Sequence, residues 1–309
     1  MDLISTIIPT YNSEAFIKNT VESVLAQDYK NIELSIVNDG STDNTEKVLR
    51  PYFDRIVYIK QENKGKSAAL NLGIESAKGE LLAFLDHDDL WLPHKLTRQY
   101  KYFRENPDVA LIYSDLIIAT DDGKQRLSSR RMKNKPGQAC DFYDLLTKNY
   151  ITTSTIIIKK ECILKVGLFD AKYMLSNDYD MYLRLARHYR FGYIEEPLTI
   201  YRQRQGNLTS RFSENMYQEH IDIAKSISKL FPELKLCSNP IWKKGLSEHY
   251  FEFGIEHFYK HHYKEAGEKF FASLKYNKLN LKSMMYFLLT QVPPNFLDLM
   301  RRLKPRRPS

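Results

Sequence analysis

Hydrophobic and polar positions follow two different periods over the first hundred residues. Residues 3–8, 32–37, 55–59 and 81–85 are short, β-rich, nearly continuous apolar runs. A continuous run predicts a strand buried on both faces, as in a sheet covered by helices. Between them the spacing turns helical. Phe16, Ile17, Val21, Val24 and Leu25 share one face, as do Val48, Leu49 and Tyr52, and then Ala68, Ala69, Leu72 and Ile74. Ser13 is placed to cap the first of these helices, and Pro9 to stop the first strand. A fourth helix is expected from Pro93, with Leu92, Leu96, Tyr100 and Phe103 on its buried side. Four strands alternating with helices imply a mostly parallel sheet with right-handed crossovers.

Beyond residue 105 the alternation breaks. Residues 109–119 read as a long strand, Asp121-Asp122-Gly123 as a hairpin turn and residues 125–129 as the return. Residues 130–139 form a basic, irregular loop. A β-rich run covers 153–159, an amphipathic helix opens at Asn177-Asp178, and 191–195 and 198–201 are two further strands. From about 212 the pattern is helical. Tyr250, Phe253, Gly254, His257, Ala266 and Phe270 resemble one tetratricopeptide helix pair. The expected organisation is an α/β domain over 1–211, split at 105/106 into two halves, and a helical region over 212–309.

Charge sharpens this division. Net charge is +8, but residues 1–200 carry −1 and residues 201–309 carry +9. Met284 to Val292 is apolar, Pro293-Pro294 breaks the run, and Phe296, Leu297, Leu299, Met300 and Leu303 accompany Arg301, Arg302, Lys304, Arg306 and Arg307, a combination that suits a helix lying in an anionic membrane interface. No nucleic-acid-binding signature accompanies the basic residues, so nucleic acid is not an expected partner. Cys140, Cys162 and Cys237 form neither a metal spacing nor a disulfide framework. With no signal-peptide pattern and no apolar run long enough to span a bilayer, the expected location is cytoplasmic, peripheral on the inner face of the plasma membrane.

The chemistry gathers at strand ends. The run at 81–85 stops in Asp86-His87-Asp88-Asp89. Clustered carboxylates repel, so a cation belongs among them, and a divalent ion with oxygen ligands is the natural candidate. His87 lies out of phase with the acids and would point away on a local strand. Polar loops at Tyr11-Asn12 and Asp39 end the first two strands on the same edge, where open α/β sheets bind nucleotides.

At these residues the chain resembles a family-2 glycosyltransferase of the GT-A fold. Ser5-Thr6-Ile7-Ile8-Pro9-Thr10-Tyr11-Asn12, Val37-Asn38-Asp39-Gly40-Ser41-Thr42-Asp43, Asn63-Lys64-Gly65 with Ala68 and Asn71, and Phe84-Leu85-Asp86-His87-Asp88-Asp89 follow the family's order. Lys165-Val166-Gly167-Leu168-Phe169-Asp170, then Asn177-Asp178-Tyr179-Asp180 and Arg184, match its acceptor half. Asn177 departs from the pattern, standing where many members have Glu.

The resemblance implies a Rossmann-like mixed sheet flanked by helices, and an inverting transfer from a nucleotide-sugar, UDP-linked before dTDP- or GDP-linked. The acceptor would be a saccharide or lipid-linked glycan in cell-surface polysaccharide synthesis. It implies donor contacts from Pro9, Thr10, Tyr11, Asn12, Asp39, Asn63, Gly65, Lys66, Asp86, His87 and Asp88. Asp88 and Asp86 would hold Mn2+ or Mg2+, with Asp178 as general base. Trp91, Asn177, Asp180 and Arg202 are the acceptor-side candidates. Two alternatives are a sugar-phosphate nucleotidyltransferase, which would want a Gly-rich basic loop in place of Pro9-Thr10-Tyr11-Asn12, and a non-catalytic adaptor working through its helical region.

Overall fold

A computed structural model describes residues 1–127, 142–204 and 213–293. The chain divides into two compact units, Met1–Leu145 with Tyr150–Asn207, and Leu146–Asn149 with Leu208–Ser309. The expected break after residue 211, the basic loop at 130–139 and the tail beyond 293 lie outside the described residues.

In the first unit β1 (Ile4–Thr10), β2 (Ile32–Asp39), β3 (Val57–Gln61) and β4 (Leu81–Phe84) alternate with α1 (Ile17–Leu25), α2 (Thr45–Leu49) and α3 (Lys66–Ser76). Then come β5 (Leu90–Trp91), α4 (Lys95–Glu105), β6 (Val109–Thr120), β7 (Gln125–Leu127), α5 (Phe142–Thr147), β8 (Ile157–Lys159), α6 (Lys160–Val166), α7 (Asn177–Ala186) and β9 (Arg190–Gln203). The sheet runs β3-β2-β1-β4-β8-β6-β9-β5, with β7 beside β6. β3, β2, β1 and β4 are mutually parallel. β8 enters antiparallel to both β4 and β6, so the sheet is mixed. Ile4, Ile8, Ile36, Ala83 and Leu85 meet Ile17, Val21 and Val24 of α1 in the main core.

Several local expectations shift. β1 runs through Pro9 to Thr10, because β4 stops opposite Ile7 and Pro9 is paired only with β2 at Val37. A residue without an N–H is tolerated on a strand paired on one side. Ser13 does not cap α1 through its side chain. Its carbonyl instead accepts from the Phe16 and Ile17 N–H groups. α4 starts at Lys95 because Leu90 and Trp91 are drawn into a two-residue strand against Ile200 and Thr199. Thr153–Thr155 is a 3-10 turn, and the strand there is only Ile157–Lys159. The two strands expected at 191–201 are one. β9 slips register against β6 between Ser114 and Asp115, where Glu195 and Glu196 take up the extra length, and again between Asp115 and Leu116, where Leu198 does.

The second unit holds α8 (Ser213–Leu230), α9 (Pro240–Tyr259), α10 (Tyr263–Tyr276) and α11 (Leu281–Thr290). α9 and α10 form the helix pair, with Phe251, Phe258, Tyr263, Ala266 and Phe270 as its core. A Cβ on Gly254 would meet the Phe270 ring at 2.6 Å, so a glycine is needed there for close approach. Cys162 and Cys237 are free thiols. Among the described residues no helix is long and apolar enough to cross a membrane.

Candidate active site

The loops after β1 and β2 are stitched together by short polar side chains. Asn12, at φ 47°, accepts from the Thr42 N–H at 2.8 Å, and its own N–H donates to Ser41 Oγ at 3.0 Å. Asparagine tolerates the left-handed region better than most residues, and the local bonds hold it there. Thr10 and Ser13 hydroxyls pair beneath this loop. Pro9 and Thr10 are buried, whereas Tyr11 is 42% exposed and presents its ring.

Asp39 organises the next loop. Its Oδ1 accepts from Gln61 Nε2 at 2.6 Å and the Lys64 N–H at 2.8 Å, and its Oδ2 from the Gly65 N–H at 2.8 Å. The carboxylate thus fixes the entry to α3, leaving acceptor capacity on Oδ2. Gly40 has φ +74°, and a Cβ there would sit 2.8 Å from the Asn63 nitrogen. No other residue fits this crossing of loops. Asn63 itself is exposed.

Lys66, first residue of α3, reaches Asp86 Oδ1 at 2.6 Å. Burial alone would lower its pKa, but the carboxylates of Asp86, Asp178 and Asp88 outweigh it and raise the value. Three acids from two distant stretches therefore act on one ammonium. Asp88 is ion-paired with Arg204, whose guanidinium lies 3.9 Å from the centre of the Phe16 ring. The cations called for by the acid cluster are thus supplied in part by the chain.

Asp89 is the buried member of that cluster. Its Oδ2 accepts from Ser154 Oγ at 2.5 Å and its Oδ1 from the Arg202 N–H at 3.1 Å. Burial, with Asp88 and Asp86 nearby, raises its pKa well above the ordinary carboxylate value. Ser154 Oγ also accepts from the Asp86 N–H at 3.1 Å. Residues 86–89 form a turn, closed by the Asp89 N–H on the Asp86 carbonyl, so the strand-phase expectation for His87 does not apply. The His87 carbonyl accepts from Thr20 Oγ1, and burial lowers its ring pKa, keeping the imidazole neutral.

Asp178 lies inside the first turn of α7, after the cap position at Ser176. Oδ2 accepts from Thr153 Oγ1 at 3.1 Å and Oδ1 from the Tyr179 N–H at 2.7 Å. Burial raises its pKa, partly opposed by Lys66 and reinforced by Asp86. Each oxygen keeps further acceptor capacity beside these bonds.

The acceptor-side expectations fare differently. Trp91 is 3% exposed, its indole N–H donating to the Ser154 carbonyl at 2.8 Å and Lys95 lying over its ring at 4.2 Å. It belongs to the core, not to a pocket floor. Asn177 is buried and donates to Ser67 Oγ at 2.7 Å, tying α7 to α3. Asp180 accepts from Arg184 at 2.8 and 2.9 Å, and Arg184 in turn donates to the carbonyls of Val166, Gly167 and Leu168. These three residues are buried and engaged with neighbouring groups of the fold. Asn71 holds the same loop through Phe169 on both its amide groups. Arg202, whose pKa is lowered by burial, lies beside Asp89, Asp88 and Arg204. Arg204, Ser154 and Thr153 carried no sequence signal, since each gains its role only through a partner far along the chain.

The model of glycosyl transferase family 2 matches residues 5–167. The chain belongs to this family. Its mixed sheet with flanking helices is the GT-A fold. An uncharacterised glycosyltransferase of Rickettsia typhi is 36% identical over 60% of this chain and 59% of its own length. One from Rickettsia prowazekii is 32% identical over 72% and 70%. The GalNAc(5)-diNAcBac-PP-undecaprenol beta-1,3-glucosyltransferase of Campylobacter jejuni is 24% identical over 98% of both chains. Among solved structures, S. aureus TarS 1–349 in complex with UDP has a TM-score of 0.66 at 16% identity, covering 99% of this chain and 93% of that one. The mannosyltransferase PcManGT from Pyrobaculum calidifontis, in complex with GDP-Man and Mn2+, has a TM-score of 0.62 at 16% identity, covering 94% and 86%.

Proposed function

We propose that this glycosyltransferase moves a sugar from a nucleotide donor, a UDP-sugar before a GDP-sugar, onto a hydroxyl of a saccharide or lipid-linked acceptor, inverting the anomeric centre. The observation that carries this reading is the 2.6 Å ion pair of Lys66 with Asp86, with the charges of Asp178 and Asp88 acting on the same ammonium. Donor and acceptor chemistry would then meet beside Lys66. The undecaprenol-linked substrate of the full-length C. jejuni relative supports the lipid-linked acceptor, and the UDP complex of the S. aureus neighbour supports the donor.

Tyr11 would stack on the base, and Asp39 would accept from its ring N–H with the capacity left on Oδ2. Lys66, held at the cleft by Asp86, supplies one positive charge to the diphosphate. Asp86 Oδ2 and Asp88 Oδ1, the oxygens not engaged by Lys66 and Arg204, are the hard oxygen donors that would hold Mn2+ or Mg2+. Bound there, such a cation would offset the charge developing on the leaving diphosphate.

Asp178 takes the proton of the acceptor hydroxyl. The acceptor oxygen bonds to the anomeric carbon as the carbon–oxygen bond to the diphosphate breaks on the opposite face, so an α-linked donor gives a β-glycoside. Transfer and nucleoside diphosphate release from a panel of sugar nucleotides, with and without manganese, test the reading. One donor should be cleaved, and Asp178→Asn should lower transfer about 10²–10⁴-fold while donor binding holds. Equal transfer by this variant would remove Asp178 from its role, and no release from any donor would remove the reading itself.

A further inference from the structure

α11 is apolar on both sides. One face enters the helical core: Ser283 is buried, and the Tyr286 ring lies 5.2, 5.5 and 5.9 Å from those of Phe258, Phe270 and Phe251. The other face carries Leu281, Met284, Met285 and Leu288, at the i, i+3, i+4, i+7 spacing of one helical stripe. They are 69%, 45%, 52% and 60% exposed, and Leu279 before them is more exposed still. A surface helix ordinarily shows water its polar side, so a contiguous apolar stripe marks a surface that something covers.

We propose that this stripe docks on an anionic lipid bilayer. Charge decides between occupants. Lys275, Lys278 and Lys282 flank the stripe, and from Lys269 to the C-terminus there are nine basic residues and one acidic. A second copy of the chain would bring the same positive face against this one. Residues 294–309 carry five basic residues against Asp298, so they add to the positive charge. A bilayer with anionic headgroups supplies both complements, hydrocarbon for the stripe and negative charge for its lysines. At ten residues α11 spans about 15 Å, half the hydrocarbon thickness, so it would lie in the plane of the interface. Sequence alone places membrane contact in the tail at 293–309, whereas this inference places it on a folded helix and stands independently of the donor reading.

The test is co-sedimentation of the full chain with vesicles of equal parts phosphatidylglycerol and phosphatidylcholine, and with phosphatidylcholine alone. The wild type should pellet with the first and not the second. Met285→Asp/Leu288→Asp, both at exposed positions, should bind at least about tenfold more weakly, since each buried apolar side chain contributes more than 1 kcal/mol. Met285→Ser/Leu288→Ser should weaken binding without adding negative charge. Far-UV circular dichroism and nucleoside diphosphate release should be unchanged in both. A chain lacking residues 294–309 should still bind and still depend on the stripe. The inference is overturned if the wild type ignores the anionic vesicles, if the stripe variants bind as well as the wild type, or if removing the tail alone abolishes binding. A dimer that the variants dissociate, with no vesicle binding, would assign the stripe to a second copy instead.

Discussion

Gly40 shows how a single backbone position holds several loops of the site in place. Its positive φ and the absence of a side chain let the end of β2 pass against Asn63, next to the loop whose N–H groups bind Asp39. Gly40→Ala is expected to lower stability by about 1–3 kcal/mol and to weaken donor binding more than transfer chemistry, read by denaturant unfolding and donor titration. At Asp178 the raised pKa has a kinetic consequence. In the role proposed for it Asp178 must be ionised, so activity should fall as pH drops through that raised value, with an acid limb above the ordinary aspartate value of about 3.9. A pH profile of kcat under saturating acceptor locates the limb, and one at or below the ordinary value would contradict the burial of this carboxylate. The motif residues were legible because the same residue types recur at strand ends. Their partners were not: Arg204 finds Asp88, and Thr153 finds Asp178, across intervals with no periodic pattern.

At the scale of elements, β5 shows the limit of periodicity. Two residues are too few to carry a repeat, and Leu90-Trp91 become a strand only because β9 lies beside them. The consequence is a Trp91 that packs instead of lining a pocket. Trp91→Ala is expected to cost about 3–5 kcal/mol of stability, while Trp91→Phe should keep the acceptor KM unchanged. A raised KM in a stably folded Trp91→Phe protein would return Trp91 to the acceptor site. In the second unit, Gly254→Val should destabilise by about 1–3 kcal/mol through the clash with Phe270, read as a lowered thermal midpoint. The helix pair was visible in advance because Tyr250, Gly254, His257 and Phe270 follow a helical repeat. The 3-10 turn at Thr153–Thr155 was not, since its β-branched residues favour a strand locally, and the turn is closed by the Thr155 N–H and hydroxyl on the Thr152 carbonyl while Ser154 bonds to the distant Asp89 and Trp91.

For the whole molecule, carboxylates and cations gather around Lys66 and Arg204 while net positive charge accumulates along the C-terminal third. If Asp86 and Asp88 hold a divalent ion, chelation should slow donor cleavage and manganese should restore it, and Asp88→Asn should raise the metal concentration needed, followed by nucleoside diphosphate release. Rates indifferent to chelator would leave the diphosphate to Lys66 and Arg204. Sequence by itself determined the alternating strands and helices, the polar loops on one sheet edge and the acids at 86, 88 and 178, because burial and turn chemistry write themselves into neighbouring residues. Only the tertiary structure decided that β8 enters the sheet antiparallel, that Asn177 and Asp180 brace α7, and that Lys66 and Arg204 meet the acids. Those outcomes depend on which distant segments pack together, and a contact across a hundred residues leaves no period to read in the chain.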